Sequence, residues 1–258
     1  MDHLKRITDE FTRQAETFEV WAVNVDAGVG ERFGGALGEA ARGRLIDVAC
    51  GPGVVTAALA PKAASIVGFD ATEEMLGKAR TRCTKAGLRN VEFKTGDAEH
   101  LPFADATFDG AVTRAALHHF ADPKSAIGEM YRVLRPGGVA VFADVISSED
   151  PDESQLHNAI ERLRDPSHVR MLPASELDAA ASRAGFRDLQ ATTWDMNREL
   201  EEWFSIVSDP ARVEPIRTVV RTLAEASRDA GIGLSIKNGQ IVFFHRWRLL
   251  KASKPLQH

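Results

Sequence analysis

The chain has 258 residues, of which 44% are hydrophobic and 27% charged, and its formal net charge is −5. This composition is that of a globular protein and excludes a disordered or fibrous chain. The negative charge gives no general attraction to phosphate backbones, so no nucleic-acid partner is predicted. The apolar runs are far shorter than the roughly 20 residues of a membrane helix, and no membrane span is predicted.

The chain contains two cysteines, Cys50 and Cys83, which are too few for a disulfide framework or a cysteine-rich zinc site. Its first residues lack the apolar stretch of a secretory signal, and we therefore expect a cytoplasmic protein. The length fits one domain over residues 1–258. The sequence leaves open whether that domain forms a homodimer.

The predicted elements divide this domain into three parts. Residues 1–43 are expected to form two helices, in which Phe11, Ala15, Phe18 and Trp21 fall near helical spacing. In residues 44–147, short β-branched runs alternate with helical patterns, as in repeated βαβ units. The strands predicted in this part are residues 44–49, 65–69, 91–94, 109–113 and 139–145.

Two local signals mark helix ends in the second part. Thr72 is expected to cap a helix over residues 72–86, because Glu73 and Glu74 follow in its first turn. The run Arg135-Pro136-Gly137-Gly138 is expected to end another helix and turn the chain. In residues 148–258 we expect helices at 151–165 and 174–184, a sixth strand at 187–194, a helical stretch at 198–230 and a last strand at 240–250.

A glycine turn follows the first predicted strand in the run Asp47-Val48-Ala49-Cys50-Gly51-Pro52-Gly53. Gly51 and Gly53 would let the backbone approach a ligand at the carboxyl end of the strand, where open α/β sheets bind ligands. A dinucleotide-binding fingerprint would need a third glycine at position 56, where Thr56 stands. The turn on its own is equally compatible with a tight connection.

Carboxylates follow the next two strands. Asp70 ends the second strand and suits the vicinal hydroxyls of a ribose, with capping of the next helix as the alternative role. Asp97, in the run Gly96-Asp97-Ala98 after the third strand, could accept a hydrogen bond from an adenine amino group. Ligand-facing groups at three successive strand ends indicate a nucleoside-containing cofactor.

The motifs together resemble one enzyme family. They are Asp47–Gly53, Asp70 with Met75-Leu76, Gly96-Asp97-Ala98, Leu101-Pro102-Phe103, Leu117-His118-His119-Phe120 and Arg132–Gly138. In this combination the chain resembles the class I S-adenosylmethionine-dependent methyltransferases, and within them the branch similar to the enzymes of ubiquinone and menaquinone biosynthesis. The resemblance covers residues 40–147 at motif level and extends more loosely to the end.

The resemblance implies a Rossmann-like α/β fold with a doubly wound, seven-stranded, mostly parallel sheet, whose last strand runs antiparallel beside the fifth and sixth. It also implies helical cover at both ends of the chain, and S-adenosylmethionine as cofactor. The cofactor-binding residues that it implies are Asp47, Ala49, Gly51, Gly53, Asp70, Ala71, Met75, Asp97, Ala98 and Arg114. Many members have glycine where this chain has Ala49; alanine fits there if its φ is negative, as we expect.

Two histidines follow the fourth strand, close to the expected position of the methyl group. In the similar phosphoethanolamine methyltransferases the histidine that aligns with His119 takes part in catalysis, so His119 is the first catalytic candidate and His118 the second. A structural role is the alternative for both. No metal is predicted, because no two of the remaining histidines have ligand spacing backed by carboxylates.

The predicted function is transfer of a methyl group from S-adenosylmethionine to an O, N, S or C centre of a small metabolite. Two alternatives remain: a nicotinamide-dependent oxidoreductase, against which the missing third glycine argues, and a protein that binds S-adenosylmethionine without methylating. An open α/β crevice needs a cover to exclude water. The aromatic candidates for an acceptor pocket under that cover are Phe11, Phe18, Trp21, Trp203 and Phe204.

Overall fold

The computed structural model describes residues 5–13, 28–207 and 209–256. Within these residues, eight strands form one sheet with helices on both faces. The strands are β1 (Arg44–Val48), β2 (Ser65–Asp70), β3 (Val91–Thr95), β4 (Phe108–Arg114), β5 (Leu134–Val145), β6 (Arg187–Glu199), β7 (Ser235–Lys237) and β8 (Gln240–Ser253). The helices are α1 (residues 5–13), α2 (Val29–Leu37), α3 (Val54–Leu59), α4 (Glu73–Lys85), α5 (Pro123–Val133), α6 (Pro151–Arg164), α7 (Ala174–Ala184), α8 (Leu200–Trp203) and α9 (Val213–Glu225).

The strand order is β3-β2-β1-β4-β5-β8-β6. Strands β1 to β5 are parallel, and β8 lies antiparallel between β5 and β6. This confirms the predicted fold, with one addition, the three-residue strand β7 that pairs only with β8. The chain order reverses between β1 and β4, which is where a ligand crevice opens in sheets of this kind.

Alternate residues of the central strands supply two cores, one on each face of the sheet. Leu45 points to the face covered by α2 and α3, whereas Ile46 points to the face covered by α5 and α7. Both side chains are fully buried, as are Ile66 and Ala111 on the neighbouring strands. Burial on both faces explains why these strands are continuous apolar runs rather than alternating ones.

A third core lies at the C-terminal end of the chain, beyond the parallel strands. Strand β5 ends at Val145, opposite Trp247, but β8 continues to Gln240 while paired with β6 and β7. Helices α6, α8 and α9 pack on this extension, with Trp203 and Phe243 among the buried residues. The predicted helical stretch 198–230 is therefore wrong at its start, because residues 198 and 199 still belong to β6.

Two local predictions also need correction. Thr72 occupies the N-cap position of α4, but its side chain makes no capping hydrogen bond; the carboxylate of Asp70 accepts from the Thr72 N–H instead. Helix α5 ends at Val133, directly before the predicted run 135–138, but this run lies inside β5 rather than in a loop. The strand is irregular there, because the pairing of β4 with β5 shifts register between Phe108 and Gly110, and Gly137 has a φ of +80°. There the Gly137 N–H and the Gly138 carbonyl pair with the backbone of Lys254. In the part of the chain that is described, no helix combines the length and apolar character needed to cross a membrane.

Candidate active site

A cavity of about 210 Å³ lies where β1, β2, β3 and β4 end. Most of the residues that the sequence indicates meet there. Those lining it are Ala49, Gly51, Asp70, Ala71, Met75, Asp97, Ala98, Arg114 and His119. As the described residues define this cavity, Asp47, Gly53 and His118 are not part of its lining. The remaining lining includes Phe69, Glu99 and Phe120, which are not among the predicted cofactor or catalytic residues.

Asp47 and Gly53 shape the turn after β1 rather than facing the cavity. The Thr56 hydroxyl donates to Asp47 Oδ2 at 2.6 Å, so the residue that replaces a third glycine anchors α3 to the end of β1. Burial raises the pKa of Asp47 to about 7. At Gly53 a Cβ would lie 2.7 Å from the Cβ of Ala79 on α4, and this close packing requires glycine.

The conformation of Ala49 differs from the expectation. Its φ is +56°, in the left-handed region, whereas a negative φ was expected. A left-handed conformation costs a residue with a Cβ roughly 1–2 kcal/mol. The turn therefore retains the geometry that favours glycine, and alanine adopts it at a cost in stability.

Asp70 accepts hydrogen bonds from two backbone N–H groups. Its Oδ2 accepts from the Gly51 N–H at 2.8 Å, and its Oδ1 accepts from the Thr72 N–H at 2.9 Å. Burial raises the pKa of Asp70, against the effect of these hydrogen bonds. The carboxylate thus joins the glycine turn to the start of α4 while also lining the cavity.

At the end of β3, Asp97 also organises its own loop. Its Oδ1 accepts from the Glu99 N–H at 2.9 Å, and its Oδ2 lies 3.0 Å from His100 Nδ1. Across the cavity, the guanidinium of Arg114 lies 5.3 Å from the centre of the Trp247 ring. Arg114 therefore marks the boundary between the cavity and the C-terminal part of the chain.

A second cavity, of about 50 Å³, adjoins the first, because Ala115 and His119 line both. Its polar side chains come from the turn after β4, from α6 and the loop after it, and from β6 and β8. They are His118, His119, Glu161, Arg164, Asp165, His168, Arg198 and His245. Trp203 and Trp247 contribute the aromatic part of the lining.

The hydrogen bonds of His119 define which ring nitrogen carries the proton. Its Nδ1 lies 3.1 Å from Ser167 Oγ, and the Ser167 hydroxyl donates to Asp165 Oδ1 at 2.6 Å. Because that hydroxyl has only one proton, its oxygen must accept from Nδ1–H, which leaves the lone pair of neutral His119 on Nε2. Burial and the neighbouring His118 lower the pKa of His119 to about 4.

His118 has a different environment. Its Nδ1 lies 2.6 Å from Asp144 Oδ1, and its carbonyl accepts from the N–H groups of Val169 and Arg170. Although burial acts to lower it, the charge of Asp144 gives His118 a raised pKa. These bonds fix the loop that carries His119.

The aromatic candidates for an acceptor pocket separate into three groups. Phe11 lines the larger cavity and packs edge-on against His119, with ring centres 4.9 Å apart, and Trp203 lines the second cavity. Phe204 is buried in the third core and lines neither of the two cavities as described. Phe18 and Trp21 lie outside the described residues.

The chain is similar to known methyltransferases in its sequence. A family described as a methyltransferase domain matches residues 46–142. The protein named methyltransferase YcgJ of Bacillus subtilis is 35% identical over 204 residues, which are 78% of this chain and 80% of that protein. The chain belongs to the class I methyltransferases.

The likeness of this methyltransferase to YcgJ extends to its fold. The crystal structure of YcgJ has a TM-score of 0.81 and 30% sequence identity, and the match covers 89% of this chain and 99% of that one. The demethylmenaquinone methyltransferase of Clavibacter sepedonicus is 30% identical over 168 residues, 65% of this chain and 66% of that protein. The chain is thus an enzyme that uses S-adenosylmethionine to methylate small molecules, which confirms the predicted function over the oxidoreductase alternative.

Sequence reasoning missed the residues of this methyltransferase that surround His119. Asp144 is the penultimate residue of β5 and is buried. A charged residue inside the apolar run 139–145 was the sequence signal that could have identified it. Asp165, Ser167 and His168 form a polar loop directly after α6. The expectation of no metal was based on spacing along the sequence, whereas the structure brings His157, Glu161 and His245 together, with His157 and Glu161 one helical turn apart.

Proposed function

We propose that S-adenosylmethionine occupies the larger cavity, with Asp70 at the ribose, Asp97 and Ala98 at the adenine, and Gly51 and Arg114 around the methionine end. The shape of the glycine turn supports this. Gly51 has a φ of +52°, and an added Cβ would meet no atom of the described residues within 4 Å, so the turn leaves room for a ligand against its backbone. When bound, S-adenosylmethionine supplies an electrophilic methyl group on a sulfonium centre.

The acceptor is proposed to bind in the second cavity, with its nucleophilic atom where the two cavities meet. The observation that carries this proposal is the shared lining at Ala115 and His119. This junction gives one place where a group held in the second cavity can reach a methyl group held in the first. Positioning of two bound molecules in line supplies much of the acceleration in such a reaction.

His119 then acts as the proton acceptor for a hydroxyl or protonated amine. His119 is neutral at neutral pH, because its pKa is lowered to about 4 by burial and by His118. The proton would leave the acceptor oxygen or nitrogen for Nε2 as the acceptor lone pair bonds to the methyl carbon. The carbon–sulfur bond would break in the same step, and its electron pair would stay on the sulfur of S-adenosylhomocysteine, the leaving group. Asp165, acting through Ser167, stabilises the imidazolium that forms.

The lining of the second cavity indicates the class of acceptor. Trp203, Trp247 and Met171 offer apolar and aromatic surface, and the histidines offer hydrogen-bonding edges. This suits a small, partly unsaturated molecule that carries a hydroxyl or amine. The names of two relatives agree with that class, since one is an O-methyltransferase and one a demethylmenaquinone methyltransferase.

The experiment that tests this assignment measures cofactor binding and acceptor kinetics separately. We would screen phenols, quinols and aromatic amines for S-adenosylhomocysteine formation, then compare Asp70→Asn with His168→Gln on the best acceptor. Asp70→Asn should weaken S-adenosylhomocysteine binding by calorimetry, whereas His168→Gln should leave it unchanged and raise the acceptor KM. The opposite pattern, or an equal effect of both variants on both quantities, would contradict the placement of the two ligands.

Two features of the protein outside the site are proposed on the sequence alone. A cytoplasmic location agrees with the two cysteines, both of which are buried free thiols. Both monomer and homodimer are compatible with the proposed site, because residues of one chain line both cavities. Light scattering at several concentrations would distinguish the two states.

A further inference from the structure

Three metal-ligating side chains converge at the junction of α6 and β8. His157 and Glu161 lie one turn apart on α6, and His245 comes from β8. Glu161 Oε1 lies 2.9 Å from His245 Nε2 and 3.9 Å from His157 Nε2. One donor atom from each residue falls within 4.8 Å of the other two.

His157 is the unusual member of this cluster. It is 1% exposed, and among the described residues neither of its ring nitrogens has a hydrogen-bond partner. A buried polar group without a partner costs roughly 1–3 kcal/mol, so most proteins satisfy such groups or replace them. Its ring stacks on that of His245 at 5.9 Å between centres, which keeps both imidazoles beside the carboxylate.

The carboxylate of Glu161 is held in a defined orientation. Its second oxygen, Oε2, accepts two hydrogen bonds from Arg164, at 2.9 and 3.1 Å, which leaves Oε1 directed at the two histidines. Although burial acts to raise it, Arg164 and His245 lower the pKa of Glu161 well below its usual range. Burial lowers the pKa of His157 to about 4. The orientation of the Glu161 side chain places Oε1 beside both imidazole nitrogens.

We propose that His157, Glu161 and His245 form a binding site for a divalent transition-metal ion, with Zn²⁺ as the best match. Two imidazole nitrogens and one carboxylate oxygen are a known donor set of zinc sites that keep an open position. Ligand bonds near 2.0–2.1 Å at tetrahedral angles place donor atoms about 3.3 Å apart, so shifts of about 1 Å or less bring most of the observed separations into that range.

The donor set also determines which ions would be rejected. Mg²⁺ and Ca²⁺ prefer oxygen ligands, whereas imidazole suits Zn²⁺ and similar ions. Arg164 neutralises the single carboxylate charge, so attraction by net charge is weak and the nitrogen donors determine affinity. The site should therefore bind Zn²⁺ and Co²⁺ but not Mg²⁺.

The proposed metal site borders the second cavity. Glu161 and His245 both line that cavity, so a coordination position left open by the protein would face it. The ion would also join α6 to β8, two elements far apart in sequence. This proposal goes beyond methyl transfer, and it can be tested without any acceptor or turnover.

The test uses the full chain without an affinity tag, freed of metal with a chelator and then dialysed. Zn²⁺ is titrated in competition with a chromophoric chelator, and Co²⁺ is added separately to record its visible absorption. We expect one Zn²⁺ per chain, an intense Co²⁺ band typical of four-coordinate geometry, and no competition by millimolar Mg²⁺.

Two variants and one control locate the ion. Glu161→Gln should weaken Zn²⁺ binding at least about 100-fold, but it also breaks the pairing with Arg164. His157→Leu is the decisive variant, because it removes a donor without breaking a hydrogen bond among the described residues. It should abolish the Co²⁺ band and the zinc-induced rise in Tm, while the metal-free protein stays folded by circular dichroism.

The control is His100→Gln, since the exposed His100 lies 3.0 Å from Asp97 and represents adventitious binding by surface side chains. This variant should bind Zn²⁺ as the unmodified chain does. Unchanged Zn²⁺ affinity in folded His157→Leu, or less than one tenth of a Zn²⁺ per chain in the unmodified protein, would overturn the proposal.

Discussion

The two halves of the active site are built in different ways. The proposed cofactor half consists of backbone turns, small residues and carboxylates at the ends of β1, β2 and β3. The proposed acceptor half consists of histidines, charged groups and tryptophans from distant parts of the chain, namely the turn after β4, α6, β6, α8 and β8. The first depends on local sequence and the second on long-range packing. A substitution in one half should therefore change the binding of one ligand and leave the binding of the other unchanged.

The largest difference between the effect on turnover and the effect on cofactor binding is expected for a substitution of His119, where the two cavities meet. For a hydroxyl or protonated-amine acceptor, His119→Gln should lower kcat by roughly 10²–10⁴, because the proton acceptor is lost. Cofactor affinity should change little. The kcat of the unmodified enzyme should be flat at neutral pH and fall only as the pH approaches the pKa of about 4, below which His119 is protonated.

The measurement is kcat against pH from 4 to 9 for both proteins, with S-adenosylhomocysteine affinity as the control. The pKa of about 4 replaces the unperturbed value near 6.5 that the sequence alone would assign to His119. Equal kcat in variant and unmodified enzyme would leave His119 as a structural residue and positioning as the whole mechanism.

The next largest effect is expected in the cofactor half. Asp70→Ala should weaken S-adenosylmethionine binding by about 1.5–3 kcal/mol, because it removes charge-assisted hydrogen bonds to the ribose. It also removes the acceptor for the N–H groups of Gly51 and Thr72, so the Tm must be measured beside the affinity. A folded variant with unchanged affinity in calorimetry would disprove the ribose contact.

The two halves should also differ in their contribution to acid sensitivity, because the buried histidines are concentrated in the proposed acceptor half. Burial lowers the pKa of His168 to about 3, whereas an unfolded histidine titrates near 6.5. Between these values the unfolded chain binds more protons, so the free energy of unfolding falls as the pH drops below 6.5. From pH 7 to pH 5 this one residue should account for a loss of about 2 kcal/mol.

The acid effect can be measured by urea unfolding at pH 7 and pH 5 in the presence of a chelator. His168→Asn should lose less stability over that interval than the unmodified protein, whatever its stability at pH 7. An equal loss in both proteins would show that other groups determine the acid sensitivity.

The smallest effect is expected at Ala49, in the turn of the cofactor half. Its φ of +56° is strained for alanine, so Ala49→Gly should raise the free energy of unfolding by about 0.5–1 kcal/mol. Thermal unfolding of the two proteins in the same buffer measures this. A lower Tm for the glycine variant would show that lost chain entropy outweighs the relieved strain.

The fold and the cofactor half could be predicted because their signals are short-range. Gly51, Asp70 and Asp97 follow strands that the sequence predicts, and all three line the larger cavity. Asp47 and Gly53 shape the same turn without lining the cavity as described. What failed there was conformational detail, such as the φ of Ala49, because one residue type is compatible with more than one backbone region.

The acceptor half could not be predicted in the same way. Ser167 lies 48 residues from His119, and Glu161 lies 84 residues from His245, yet each pair is within hydrogen-bonding distance. Such contacts depend on where β8 enters the sheet and how far it extends. Residues Arg198 and Glu199 illustrate the difficulty, because a polar helical pattern there is overridden by pairing with β8.

The extension of β8 beyond β5 has an evolutionary consequence. The third core rests on this extension and joins the parallel sheet through one neighbouring strand, so its residues can diverge with little effect on the ends of β1, β2 and β3. The family match to residues 46–142 stops before this region begins. Related proteins can thus keep the proposed cofactor half unchanged while substitutions in β6 and β8 adapt the proposed acceptor half to new substrates.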